Sequence, residues 1–189
     1  VEADPGAIAL DGFQIFFKEQ RPFFIENKNI FDFEFANGND NLFYSRRIGR
    51  SPQLGVLAPQ GAYVDKPNNT TILGAAKFSG KTKNGWSLGL LETVTNGMNA
   101  QINQNGNLTE TLVEPMTNYV VGRAQKDFNE RMSYVGGIFT ATNRKIDTHS
   151  ILLHKAAYTA GIDFIHQWQD RTYYIEGNVI GSRVIGDSR

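Results

Sequence analysis

Ala156-Ala157-Tyr158-Thr159-Ala160-Gly161-Ile162-Asp163-Phe164-Ile165-His166-Gln167-Trp168 changes character at nearly every step. The even positions carry Ala, Tyr, Ala, Ile, Phe, His and Trp, and the odd positions include Thr159, Asp163 and Gln167. A period of two is the mark of a β-strand, because successive side chains leave opposite faces of the backbone. One face of this strand is apolar and the other polar. A helix beginning near Ile151 competes only as far as Ala160, since the alternation runs through it to Trp168.

The pattern repeats downstream over residues 172–182. Tyr173, Ile175, Gly177, Val179 and Gly181 share one face there. Thr172, Tyr174, Glu176, Asn178 and Ser182 share the other, with Ile180 as the exception. Gln169-Asp170-Arg171 between the two segments has hairpin length. Upstream, residues 70–79 and 86–95 flank a break at 80–85 that ends in Asn84-Gly85, a pair that tolerates positive φ. Residues 119–126 and 133–142 flank another break at 127–131. The sequence therefore predicts three consecutive antiparallel hairpins.

Connections within hairpins are short, whereas those at 46–69, 96–114 and 143–150 are long and polar. Bacterial outer-membrane barrels show this asymmetry of short turns and long loops. Phe78, Trp86, Phe128, Tyr134, Trp168 and Tyr173 gather at the short-turn ends, where a membrane–water interface would attract amphipathic rings. The expected fold is all-β: an antiparallel meander of hairpins forming part of a transmembrane outer-membrane β-barrel. Residues 1–69 read as a barrel entry segment with a Phe-rich region and a long loop, and 70–189 as the hairpins of an incomplete barrel. In the entry segment, residues 12–24 suggest a strand stopped by Pro22, and 27–41 an irregular, partly buried stretch. The last residues, Gly186-Asp187-Ser188-Arg189, supply no aromatic closing strand, so the sheet is expected to stay open.

Composition agrees with this reading without deciding it. Lys plus Arg and Asp plus Glu balance at 19 each among 189 residues, so no net field favours nucleic acid. There is no cysteine to form disulfides or thiolate metal sites. No apolar run reaches the ~18 residues of a transmembrane helix, but barrel strands need only ~10 residues with alternate ones apolar. The mean hydropathy of -0.36 with 19 glycines suits a barrel or a soluble β protein equally.

Several segments resemble a Bacteroidota family of outer-membrane β-barrel proteins of unknown function that carries a family-9-like carbohydrate-binding module on its N-terminal side. They are Val1-Glu2-Ala3-Asp4-Pro5, Phe16-Phe17-Lys18-Glu19-Gln20-Arg21-Pro22-Phe23-Phe24-Ile25-Glu26, Leu42-Phe43-Tyr44-Ser45-Arg46-Arg47-Ile48-Gly49-Arg50, Ile72-Leu73-Gly74-Ala75-Ala76-Lys77 and Gly136-Gly137-Ile138-Phe139-Thr140-Ala141-Thr142-Asn143-Arg144. The Glu-x-Arg-Pro-Phe-Phe core is the most specific of them. The resemblance implies a large barrel and a soluble module that is not in this sequence. It implies no activity.

Few residues suggest chemistry. Gly74 and Gly80-Lys81-Thr82 imitate a phosphate loop, but five residues separate the glycines where the motif has four, and a strand follows where a helix is needed. His149, His154 and His166 are too widely spaced for a metal site, and no serine has a nucleophile-elbow context. Four charged residues fall on the polar face expected to line the lumen: Lys77, Arg123, Asp163 and Glu176. They could set selectivity or bind a ligand, or form salt bridges between neighbouring strands. Glu19, Arg21, Arg46 and Arg47 sit among phenylalanines and read as a structural polar cluster, since buried charges are usually paired.

The expected function is a pore, transport or scaffold component of the cell outer membrane. It needs no catalytic activity, metal or cofactor. Its partners would be outer-membrane lipid and other outer-membrane proteins, not nucleic acid. The alternative is a soluble β-sandwich module that binds carbohydrate or another ligand, and a barrel lipase or protease comes third. A sandwich would cover the apolar stripe with a second sheet, whereas a barrel would leave it to lipid. The barrel reading sends Tyr158, Ile162, Phe164, Ile175 and Val179 outward, and Thr159, Asp163, Gln167, Glu176 and Asn178 inward.

Overall fold

The computed structural model describes residues 18–35, 40–146 and 153–186. A helical turn at Pro22–Ile25 and 3₁₀ turns at Lys28–Ile30 and Ser45–Arg47 interrupt an otherwise extended first segment. That segment also holds two short paired strands, β1 (Glu34–Phe35) and β2 (Asp40–Asn41). Then come β3 (Tyr63–Asp65), β4 (Ile72–Lys81), β5 (Trp86–Thr95), β6 (Met98–Gln104), β7 (Asn107–Glu114), β8 (Thr117–Phe128), β9 (Ser133–Arg144), β10 (Ala156–Trp168) and β11 (Tyr173–Ile185).

Six of these strands form one antiparallel sheet in the order β11-β10-β9-β8-β5-β4. The three hairpins expected from the alternation are all present, and β5 and β10 begin and end where the sequence places them. The protein is all-β with antiparallel sheets. Among the described residues β4 and β11 are the two edges and do not pair with each other, so the sheet is open.

Two expectations need correction. The connection at 96–114 is no loop, because β6 and β7 fill it as a fourth hairpin. Its turn is Asn105-Gly106, with φ of 51 and 86, the left-handed pair that a two-residue hairpin favours. The six strands of the main sheet are therefore not consecutive in the chain, and β3, out of the long 46–69 connection, joins this hairpin in a separate sheet ordered β3-β6-β7. The alternation was hidden because Asn99, Gln101 and Asn103 make the hairpin look like a polar loop, although Ala100 and Ile102 between them are buried. The strand expected to end at Pro22 falls mainly on residues outside the described ones, and Pro22 itself begins a different element. It opens a helical turn, where its fixed φ and missing N–H cost nothing.

The turns at 129–131 and 169–171 are alike and contain no glycine. Asn129, Glu130 and Arg131, then Gln169, Asp170 and Arg171, all hold positive φ, and each turn closes with one hydrogen bond, Met132 N–H to Asn129 O and Thr172 N–H to Gln169 O.

The main sheet has a covered face and a bare face. On the covered face Phe24, Ile30, Phe31, Phe33 and Ile48 of the first segment pack against Leu91, Val121 and Ile138 of the strands. Each fully buried ring or aliphatic side chain contributes roughly 1.5–3 kcal/mol. Pairing fixes which residues share a face. Ile162 lies opposite Val179, and Asp163 opposite Asn178 and Gly136. Ile162 and Val179, 60% and 75% exposed, stand on the bare face with Phe164 and Ile175, whereas Asp163 is buried on the covered one. Glu176 and Asn178 belong to the covered face but stay exposed, because β11 is an edge strand.

Candidate functional site

The covered face is built around one ion pair. Arg123 of β8 and Asp163 of β10 sit on either side of β9. Arg123 donates from Nη1 to Oδ1 at 2.6 Å and from Nη2 to Oδ2 at 2.7 Å. The planar guanidinium thus meets the carboxylate edge to edge, the strongest arrangement available to these groups. The residues are only 4% and 7% exposed. The pair does not bridge neighbouring strands, as a cross-strand ladder would. It reaches across β9 because Gly136 lies between. A Cβ there would fall 2.7 Å from Asp163 Oδ1 and 2.9 Å from both Arg123 Nη atoms. Phe33 covers the guanidinium, its ring centre 5.3 Å from Cζ.

A cavity of about 510 Å³ opens beside the pair. Asp32, Glu34 and Phe35 of the first segment face Gln125, Tyr134, Glu176 and Asn178 of the strands across it. Of the four charged residues expected to line the lumen, the structure brings Arg123, Asp163 and Glu176 together here. Lys77 lies elsewhere. Its ammonium donates to the main-chain oxygens of Phe23 and Glu26, and it borders a second cleft of about 380 Å³ with Phe24, Phe31 and Leu91. Sequence reasoning missed Asp32 and Glu34. Their only signal is an acid at every second residue in a Phe-rich run, which says nothing about what they face.

The second charged group fastens the first segment to itself. Arg21 donates from Nε and Nη2 to the two Glu19 oxygens at 2.8 and 2.7 Å, and also to the main-chain oxygens of Ile48 and Ser45. Ser45 Oγ donates to Glu19 Oε2 at 2.5 Å. Arg46 is buried and donates to Lys18 O, while Arg47 is exposed at the end of the same turn. Burial alone would raise the Glu19 pKa, but the hydrogen bonds from Arg21 and Ser45 and the Arg21 charge outweigh it and lower it from an ordinary 4.5 to about 2. A depressed folded-state pKa stabilises the fold above the ordinary value, and that contribution is lost as pH falls through the window from about 4.5 to about 2. Amide protection over residues 18–50, measured relative to intrinsic exchange at each pH, is therefore expected to fall within that window, and Glu19→Gln should abolish the acid-dependent step. Identical acid profiles for the two proteins would refute this role for Glu19.

A family model described as a domain of unknown function, DUF5916, matches residues 1–189, the entire chain. The chain belongs to the DUF5916 family. No curated protein and no solved structure matches it. Membership of a family of unknown function agrees with the resemblance drawn from the Glu-x-Arg-Pro-Phe-Phe segment, and it assigns no residue a role.

The bare face of this DUF5916 chain has its own order. At the short-turn end a ladder of rings runs from Phe128 to His166 (6.1 Å between centroids), on to Trp168 (5.6 Å) and then Tyr173 (5.9 Å). Ser133 Oγ lies 2.9 Å from His166 Nδ1, and no carboxylate hydrogen-bonds His166 among the described residues. Lys126 is at the same level, near the Trp86 ring. At the other end stand Glu92, hydrogen-bonded to Asn118, and Arg183. Between these ends the bare face of the six strands carries no charged side chain.

Proposed function

We propose that this chain is a length of wall from an outer-membrane β-barrel, a pore, transport or scaffold component and not an enzyme. Its bare face meets outer-membrane lipid and its covered face lines the lumen. The carrying observation is the inversion of ordinary burial in β10: Ile162 and Phe164 are exposed, while Asp163 between them is buried. In water this arrangement wastes apolar surface. In a bilayer it is the favourable one, since a Lys or Arg facing lipid at the midplane costs ~2–4 kcal/mol and an Asp or Glu somewhat less.

Strand length and aromatic placement support the same reading. The six strands have 10 to 13 residues, or roughly 34–44 Å at ~3.4 Å per residue, which suffices to cross a ~25 Å apolar band at a barrel's tilt. The ring ladder sits at one level, as an interfacial girdle does. Lipid does not tolerate unpaired backbone at a sheet edge, so this reading requires β4 and β11 each to meet a further strand. Association with other outer-membrane proteins belongs to the proposal too, as do the Bacteroidota source and the carbohydrate-binding module suggested by the resemblance. Ser133 and His166 support no hydrolase, because they lie among rings on the bare face.

Spin labels at Ile162 and Val179 in the reconstituted protein are expected to respond to a lipid-soluble relaxant. Labels at Gln167 and Asn178 should respond to a water-soluble one. A one-residue register slip would exchange the two sets. If all four labels respond only to the aqueous agent, the membrane reading fails and a soluble ligand-binding sandwich takes its place.

A further inference from the structure

We propose that residues 18–35 and 40–50 form a resident plug that closes the lumen on this side, and that Gly89 and Gly161 are the sockets that seat it. The inference rests on the membrane reading above for the word lumen, but the seating itself does not. Gly89, Arg123, Ile138 and Gly161 lie in one row across four strands, each the register partner of the next. A Cβ at Gly89 would fall 2.8 Å from the Phe31 ring and 2.9 Å from Ile30 Cγ2. A Cβ at Gly161 would fall 2.6 Å from Phe33 Cζ and 3.1 Å from Leu42 Cδ1. The Phe33 ring, which enters the second socket, also covers Arg123 in the same row.

Neither glycine is required by its backbone, since neither has positive φ. Glycine inside a strand weakens it and often marks a close approach by another group. On the bare face Gly74, Gly122 and Gly181 would have nothing within 4 Å of an added Cβ, and Gly177 would meet only the Phe164 ring of the adjacent strand, at 3.0 Å, with no ring from the first segment near it. The covered face therefore has glycine where rings enter it. Polar contacts between plug and wall follow the same path: Lys77 holds the oxygens of Phe23 and Glu26, and Asn27 Nδ2 donates to Ser79 Oγ at 3.1 Å. Two knobs in two sockets fix both position and rotation, as a resident stopper requires and a passing ligand does not.

The test uses the full-length protein in planar lipid bilayers, together with Asn27→Cys/Ser79→Cys as a reporter of seating in a chain that has no cysteine of its own. Gly89→Val/Gly161→Val fills both sockets with a residue suited to strands. It is expected to raise conductance severalfold and to lower the yield of the reporter disulfide severalfold. Phe31→Ser/Phe33→Ser removes the knobs, leaves every wall residue in place and should do the same, which keeps the test decisive if the valine variant fails to fold. Unchanged conductance and unchanged disulfide yield in a folded, inserted variant would overturn the plug. Failure of the wild-type protein to enter bilayers would instead sink the barrel reading, while disulfide yield in detergent would still report whether the segment seats in these sockets.

Discussion

Arg123→Ala is expected to destabilise the folded chain by about 3–5 kcal/mol, because it strands Asp163 as a buried charge with its main partner gone. Both side chains are almost fully buried, at 2% and 10% exposure, so solvent screening does little to soften the loss. Removing both partners together should be far milder. Arg123→Met/Asp163→Leu replaces a costly desolvated pair with apolar groups of similar reach, and such exchanges are often neutral. Gly136→Val attacks the same pair without touching either charge, since its side chain would occupy the gap that the guanidinium and carboxylate cross. It should come close to the single Arg123 substitution in cost. Denaturant unfolding of the four proteins in one detergent measures all of this. Single substitutions costing under ~1 kcal/mol would mean that the pair behaves like a surface salt bridge, and the account of a buried pair would then be wrong.

Phe33→Ala is expected to cost about 3–5 kcal/mol, the usual penalty for emptying the site of a buried aromatic ring. Phe33 is fully buried and touches two things at once, the Arg123 guanidinium and the Gly161 socket. Phe33→Leu keeps most of the apolar volume and should be much better tolerated. The socket predicts a further, less obvious result. Gly161→Ala alone should be harmful, because its methyl would lie 2.6 Å from Phe33 Cζ. In the Phe33→Ala background the ring is gone and only the flexible end of Leu42, 3.1 Å away, has to give. The two substitutions should therefore be non-additive by roughly 0.5–3 kcal/mol, as expected of residues in direct contact. Additive costs in unfolding experiments would show that Phe33 does not enter this socket.

Much of the sheet was legible in the sequence. The β4–β5, β8–β9 and β10–β11 hairpins follow from alternation and from short breaks, both of which are local properties. The division of β10 and β11 into an apolar and a polar face follows from the same pattern, because the two-residue period of a strand is fixed by its backbone. Where local pattern was weak, the reading failed. The β6–β7 hairpin was lost among asparagines and glutamines, although Asn105-Gly106 was a usable turn signal.

The candidate site divides in the same way. Arg123, Asp163 and Glu176 could be placed on one face from sequence, and Glu19 and Arg21 could be grouped by their setting. That Arg123 meets Asp163 across an intervening strand could not, because it depends on Gly136 leaving a gap at one register position. Nor could the sequence show that Asp32 and Glu34 face Glu176, or that Lys77 is occupied by the main chain of another segment. By itself the sequence determined which residues form strands and which side chains share a face, since both are set by the periodicity of a single chain segment. Only the tertiary structure decided which face is covered, by what, and through which glycines, because contacts between distant segments depend on shape at the point of approach, and shape leaves no periodic trace in the sequence.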